Sequence, residues 1–195
     1  MSVQPRMATL DELLSHQHGL LTRAQLLTAG VSPALVDDRV RTRAWTPVLP
    51  RTYLVRPGLS GDELRVRAAV LWAGADAALA GLAAAWWLGV VATAPAQVRV
   101  TAPHRVRTLR RAEVVADARR PAGVVVVRGV RVTAPLDTLV DAALELGVAG
   151  IALLGELRHR ELGPGSSYRA RIADHRAVAR SVGVRPGLSR CSPPR

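Results

Sequence analysis

The side chains best equipped for chemistry in this chain are arginines, and what they offer is the binding of anions. Lysine is absent, so all 27 basic residues carry guanidinium groups, set against 15 acids for a net charge of +12. Arg39, Arg41, Thr42 and Arg43 fall within five positions, and Arg51 and Arg56 follow shortly after. A second group, Arg105, Arg107, Arg110 and Arg111, lies beside His104, and Arg119 and Arg120 add a smaller one. A guanidinium presents a rigid fork of donors that fits phosphate oxygens or the edge of a guanine. Surplus of this kind points first to nucleic acid.

The surplus has a competing origin in the bias of a GC-rich genome, because lysine and phenylalanine are both missing while alanine, arginine, valine and glycine abound. Its distribution weakens the total as an argument. Residues 1–60 hold seven arginines and four acids, residues 61–150 eleven and eight, and residues 151–195 nine and three. Half of the excess therefore sits in the last segment. Placement of a few arginines matters more than their number.

Catalytic chemistry finds little support in the same sequence. His16, His18, His104, His159 and His175 have no spacing that completes a zinc set. The lack of lysine removes the usual phosphate-binding loop, Schiff-base chemistry and the common lysine-bearing nuclease pattern. The expectation is a protein that is not an enzyme, with no cofactor and no metal. Cys191, the single cysteine, excludes an intrachain disulfide and suits a reducing cytoplasm. The first ten residues lack a signal-peptide core, and the apolar stretch Ala68 to Val91 is divided by Asp76 and by glycines, as expected for short buried helices and not for a membrane span.

The elements that must position the first arginine group can be read from capping and period. Thr9 and Glu12 are spaced as a capping box before Leu10, Leu13 and Leu14, and Gly19 ends that helix. Thr22 and Gln25 repeat the pattern for a second helix on Leu26 and Leu27, closed by Gly30. Ser32 then caps a third, roughly Pro33 to Ala44, with proline in its first turn. Helical spacing predicts Leu35, Val36 and Val40 on its packed side, Arg39 and Arg43 near that side, and Asp38, Arg41 and Thr42 facing outward. Asp37 and Asp38 oppose phosphate unless one pairs with Arg41 or accepts from cytosine N4. Trp45, Val48, Tyr53 and Val55, with Pro47 and Pro50 between them, predict a small hairpin, a wing flanked by Arg51 and Arg56.

Further on, a helix over Asp62 to Ala73 and another over about Asp76 to Leu88 are expected. The second ends in Trp86 and Trp87, which suit a base-stacking platform or the filling of a thin, alanine-rich helix pair. From Gln97 the period changes to two, predicting strands in QVRVTAP, EVVADA and GVVVVRGVRVTAP. A final helix in PLDTLVDAALEL is expected to expose Asp137, Asp141 and Glu145 as a solvated or partner-contacting face. The predicted fold class is α+β: a winged helix-turn-helix over 1–58, a small mixed helix and sheet domain over 59–150, and a helix with a basic, partly disordered tail over 151–195.

The stretch LLTRAQLLTAGVSPALVDDRVRTRAWTPVLPRTYLV, the helix end AAAWWLGV and the later GVRVTAPLDTLVDAA together resemble the actinobacterial AbiEi-like antitoxin family of type IV toxin-antitoxin systems. The likeness spans about residues 8–148. It implies an amino-terminal winged helix, autorepression through binding double-stranded DNA upstream of the protein's own operon, and opposition to a nucleotidyltransferase-like toxin. Trp45 and Tyr53 match the family's tryptophan after the recognition helix and its wing tyrosine, and Asp141 matches the aspartate of its later helix. Arg43 and Thr52 depart from the pattern, each standing where glycine is usual. Many relatives continue into a nuclease-like domain that this chain stops short of.

The expected function is thus a cytoplasmic, DNA-binding transcriptional regulator. Arg39, Arg41, Thr42 and Arg43 would recognise or position DNA, Arg51 and Arg56 would hold the wing on phosphate, and Arg105, Arg107, Arg110 and Arg111 would contact the backbone. Two other readings stand beside it: a protein-binding domain that neutralises the toxin directly, and a truncated, non-catalytic remnant of a nuclease-related protein.

Overall fold

A computed structural model describes residues 9–103, 113–147 and 150. The chain divides into two compact units, 1–152 and 153–195, and the described residues all belong to the first. The expected carboxy-terminal helix and tail, and the arginine group at 105–111, lie outside the described residues.

The first helix, α1 (Leu10–His16), starts at the expected capping box, with the Thr9 hydroxyl accepting from the Glu12 amide at 3.3 Å and the Glu12 carboxylate accepting from the Thr9 amide at 2.7 Å. Gly19 follows at φ 83°, where a Cβ would overlap the Arg56 carbonyl, so the residue must be glycine on two counts. Its own carbonyl accepts from the amides of Val55 and Arg56. The strand β1 (Leu20–Thr22) comes next, an element that its three residues are too short to announce. Thr22 and Gln25 form the second capping box at the head of α2 (Arg23–Thr28), and Ser32 caps α3 (Pro33–Arg41). The hairpin consists of β2 (Thr46–Leu49) and β3 (Thr52–Leu54), joined by Pro50 and Arg51.

These three strands form an antiparallel sheet in the order β1-β3-β2. Pro47 sits on β2, an edge strand, where a missing amide does least harm. The sheet is apolar on both faces. Leu21 and Tyr53, paired across β1 and β3, pack with Leu14, Leu26 and Val36 of the helices, whereas the next pair, Leu20 and Leu54, turns to a different core. The expected packed side of α3 is narrower than its spacing suggested. Val36 is fully buried and Val40 partly so, but Leu35 is 42 % exposed and Arg39 is exposed, because α3 packs chiefly against the six-residue α2, which covers only a narrow strip of it.

The second core is built on α4 (Gly61–Ala73) and a mixed five-stranded sheet. Its strands are β4 (Ala78–Ala80), β5 (Val98–Ala102), β6 (Val114–Ala118), β7 (Val124–Val127) and β8 (Val130–Thr133), in the order β6-β5-β4-β8-β7. Between β4 and β5 lies α5 (Gly81–Trp87), and α6 (Pro135–Leu146) closes the fold. The helix expected from Asp76 is therefore shorter, and its first part is a strand. Alanine favours helix in isolation, yet Ala78, Leu79 and Ala80 are completely buried between β5 and β8, and ladder pairing on both sides outweighs that preference.

Val98, Val100 and Ala102 join the core with Val66, Ala69 and Ala73 of α4, while the alternate residue Arg99 meets α6. The turn between β7 and β8 has both Arg128 and Gly129 at positive φ, the combination that suits the twist of a two-residue hairpin. What results is a mixed α+β fold with six helices and two small sheets among the described residues.

Candidate nucleic-acid interface

The carboxy-terminal end of α3 and the β2–β3 turn carry five of the ten residues expected to bind DNA, and a sixth, Arg56, follows β3. Thr42 ends α3, its hydroxyl donating to the Asp38 carbonyl at 2.8 Å, so it serves the helix before any base. Arg43 follows at φ 61°, the left-handed conformation that usually falls to glycine after a helix. The Trp45 amide then donates to the Arg39 carbonyl at 3.0 Å, and the indole packs on the Tyr53 core, which turns the chain into β2. This series of contacts fixes the exposed Arg39 and Arg43 at one end of the helix.

The β2–β3 turn is held by a second set of contacts. The Arg23 amide donates to the Arg51 carbonyl at 2.7 Å, tying the turn to the start of α2. Arg51 adopts φ 58° and projects from the turn, whereas Thr52 is an ordinary buried strand residue paired with Thr22. The left-handed position that a glycine would ease is thus Arg51 and not Thr52.

The acids of α3 are accounted for. Asp37 takes a bidentate pair from Arg23 at 2.6 and 3.2 Å, a partner the sequence did not suggest. That hydrogen bonding holds the Asp37 carboxyl below its ordinary range and the Arg23 guanidinium above its own. Asp38 pairs with Arg41 at 2.5 Å, one of the two outcomes its position allowed. Arg56 pairs with Asp11 at 3.1 Å. Both of these pairs are on the surface, where solvent screens them and a stronger anion can replace the carboxylate. Arg39, Arg43 and Arg51 make no ion pair or side-chain hydrogen bond among the described residues.

The arginines of the second sheet behave differently. Arg99 bridges Asp117 at 2.7 Å and Glu145 at 2.8 Å, and Arg119 reaches Asp141 at 2.5 Å. Burial works against the charge on Arg99, but the two carboxylates more than offset it and hold its pKa above the ordinary value. Burial likewise pushes the Glu145 carboxyl up, against the pull of Arg99 and of the Leu82 amide. A Cβ at Gly81 would collide with that carboxylate, so Glu145 sits directly against the start of α5.

The expectation of a solvated acidic face on α6 is therefore corrected. Asp137 and Asp141 are 3 % and 6 % exposed, because α6 lays this face on α5 and the sheet and not on water. Arg119, spent on Asp141, is likewise not part of an open phosphate patch, although Arg120 is exposed.

Trp87 resolves the alternative left by the tryptophan pair. It is 2 % exposed, its indole donates to the Val127 carbonyl at 2.9 Å, and Arg128 stacks 3.9 Å from its ring centroid. Arg67 lies 5.1 Å from the same ring and donates to the Arg128 carbonyl. This tryptophan fills the core and locks a hairpin, so no base can stack on it.

Among the described residues no group of three or more His, Cys, Asp and Glu side chains could hold a metal ion, and no helix is long and apolar enough to cross a membrane. Arg105, Arg107, Arg110 and Arg111 lie outside the described residues. No family model matches the chain, and comparison with curated proteins finds no match.

Proposed function

We propose that residues 9–56 act as a winged helix-turn-helix, with α3 as the recognition helix and β2–β3 as the wing, and that the protein is a non-catalytic, DNA-binding transcriptional regulator. The observation that carries this reading is the trio Arg39, Arg43 and Arg51: three exposed guanidinium groups without protein partners among the described residues, near a helix whose two carboxylates are already paired. A short helix capped at one end and tied to a hairpin at the other can enter a major groove while the hairpin turn rests on phosphate. Arg41 and Arg56 join the interface by exchanging Asp38 and Asp11 for phosphate or base edges. The likeness to the AbiEi-like antitoxins supports a more specific role, autorepression of a type IV toxin-antitoxin operon in the cytoplasm, with the DNA upstream of the protein's own gene as the partner.

A gel-shift titration against that upstream region at two salt concentrations tests the reading. The wild-type protein should retard it in preference to unrelated DNA. R39A/R43A should bind at least tenfold more weakly, with the salt slope reduced by about 0.9 for each phosphate that is no longer neutralised. R41A should relax the preference at one base pair by about 1–3 kcal/mol. Equal affinity of wild type and R39A/R43A, or retardation only as a low-salt smear, would remove α3 from the interface.

A further inference from the structure

Leu35 is the one large apolar side chain that α3 leaves open to solvent: it is 42 % exposed and belongs to neither of the two cores. A lone exposed leucine is ordinary on a protein surface. Its place on this helix is what gives it meaning. Leu35 is the third residue of α3, and its amide donates to the Ser32 hydroxyl at 3.2 Å, so the cap that starts the helix also fixes where this side chain leaves it. Pro33 and Ala34, its exposed neighbours, are too short to shield it.

Side chains three, four and seven positions apart share one side of a helix. Leu35 is therefore in line with Asp38, Arg39 and Thr42, whereas Val36 and Val40 hold the packed side. The carboxylate in that row is already occupied, since Asp38 pairs with Arg41 at 2.5 Å. The row thus offers guanidinium, hydroxyl and a branched apolar group. Guanidinium and hydroxyl groups suit phosphates and base edges. An apolar side chain has one complementary feature in the major groove, the 5-methyl group of thymine. Pressed against any other base edge, it would desolvate polar atoms without pairing them.

We infer that Leu35 is a specificity-determining residue that selects thymine through its 5-methyl group. The inference rests on α3 acting as the recognition helix, and it adds to the arginines a contact that they cannot make. Residues at the amino-terminal end of such a helix are the ones that approach base edges, and Leu35 occupies that end of α3, with Arg39 and Arg43 nearer the other. Leu35 and Arg41 are separated by about 9 Å along the helix axis, roughly the rise of three base pairs. The selected thymine should accordingly lie within about three base pairs of the position at which R41A relaxes the preference.

Fluorescence anisotropy titration of the full chain on the duplex upstream of its own gene, with thymines replaced singly by deoxyuridine, tests this directly. Each replacement removes one methyl group and leaves every hydrogen-bonding edge unchanged. The wild type should lose about fourfold in affinity at one thymine per bound chain, the worth of one buried methyl group. L35A should bind the unmodified duplex several-fold more weakly and should no longer distinguish thymine from deoxyuridine there, while R41A keeps the distinction. Indifference of the wild type to every replacement overturns the inference, as does a methyl dependence that L35A retains. If L35A does not fold, as judged by circular dichroism, L35Q decides in its place on the same criterion. A wild type that does not prefer the upstream duplex to unrelated DNA removes the DNA-binding reading itself, and Leu35 with it; one that prefers the duplex but ignores its methyl groups removes the role of Leu35 alone.

Discussion

Arg43 and Arg51 share a backbone conformation with Arg128, at φ 61°, 58° and 50°, but their surroundings differ in every other respect. Arg128 stacks on Trp87 and donates to the Trp87 carbonyl at 2.6 Å, so the second sheet recovers through contacts what the left-handed backbone costs. The exposed side chains of Arg43 and Arg51 make no ion pair or hydrogen bond among the described residues, and their left-handed turns are held by backbone hydrogen bonds alone, from the Arg43 amide to the Val40 carbonyl at 3.1 Å and from the Arg23 amide to the Arg51 carbonyl at 2.7 Å. The contrast extends to the arginines at ordinary φ: Arg99 and Arg119 hold the second sheet to α6, whereas Arg39 stands open on α3. One residue type thus serves as internal mortar in one region and as an unspent donor in the other.

Substitutions can break this contrast in order of expected size. Replacing Arg99 by methionine leaves Asp117 and the buried side of Glu145 without their shared cation and should lower the free energy of unfolding by about 2 kcal/mol. Urea titration at neutral pH measures it, and an unchanged midpoint would mean that the pairs are ornamental. Arg128→Gly eases the backbone but forfeits the stacking and the hydrogen bond, for a net loss of about 1 kcal/mol. Arg43→Gly and Arg51→Gly should carry the opposite sign, each gaining up to about 1 kcal/mol of stability while weakening DNA binding several-fold. Loss of stability in all three glycine variants would show that the two regions treat their left-handed arginines alike; thermal unfolding beside a gel-shift assay reads both quantities.

Much of the first region was legible in its sequence, because capping boxes are local chemistry. Thr9 with Glu12, Thr22 with Gln25, and Ser32 before Pro33 mark three helix starts that depend on neighbours within four residues. The strand period likewise located β5 to β8. What escaped were the features decided by distant partners. The strand β4 is read as helix when alanine is judged alone, and only β5 and β8 make it a strand. The acids of α6 resemble a wet face until Arg99 and Arg119 are placed beneath them. The pairing of Arg23 with Asp37 involves a separation no short pattern spans. Sequence spacing placed arginines on α3 and in the β2–β3 turn but could not say which of them the protein itself would occupy.

The two-sided first sheet has a consequence for how the molecule comes apart. Leu20 and Leu21 are neighbours in the chain, yet each is embedded in a different core, so β1 works like a rivet through two plates. A slip of one position along β3 would exchange their directions and spoil both cores together. The amino-terminal helices cannot peel away as an independent module while α4 keeps its packing, and pressure or heat that loosens either plate is transmitted to the other through a strand of three residues.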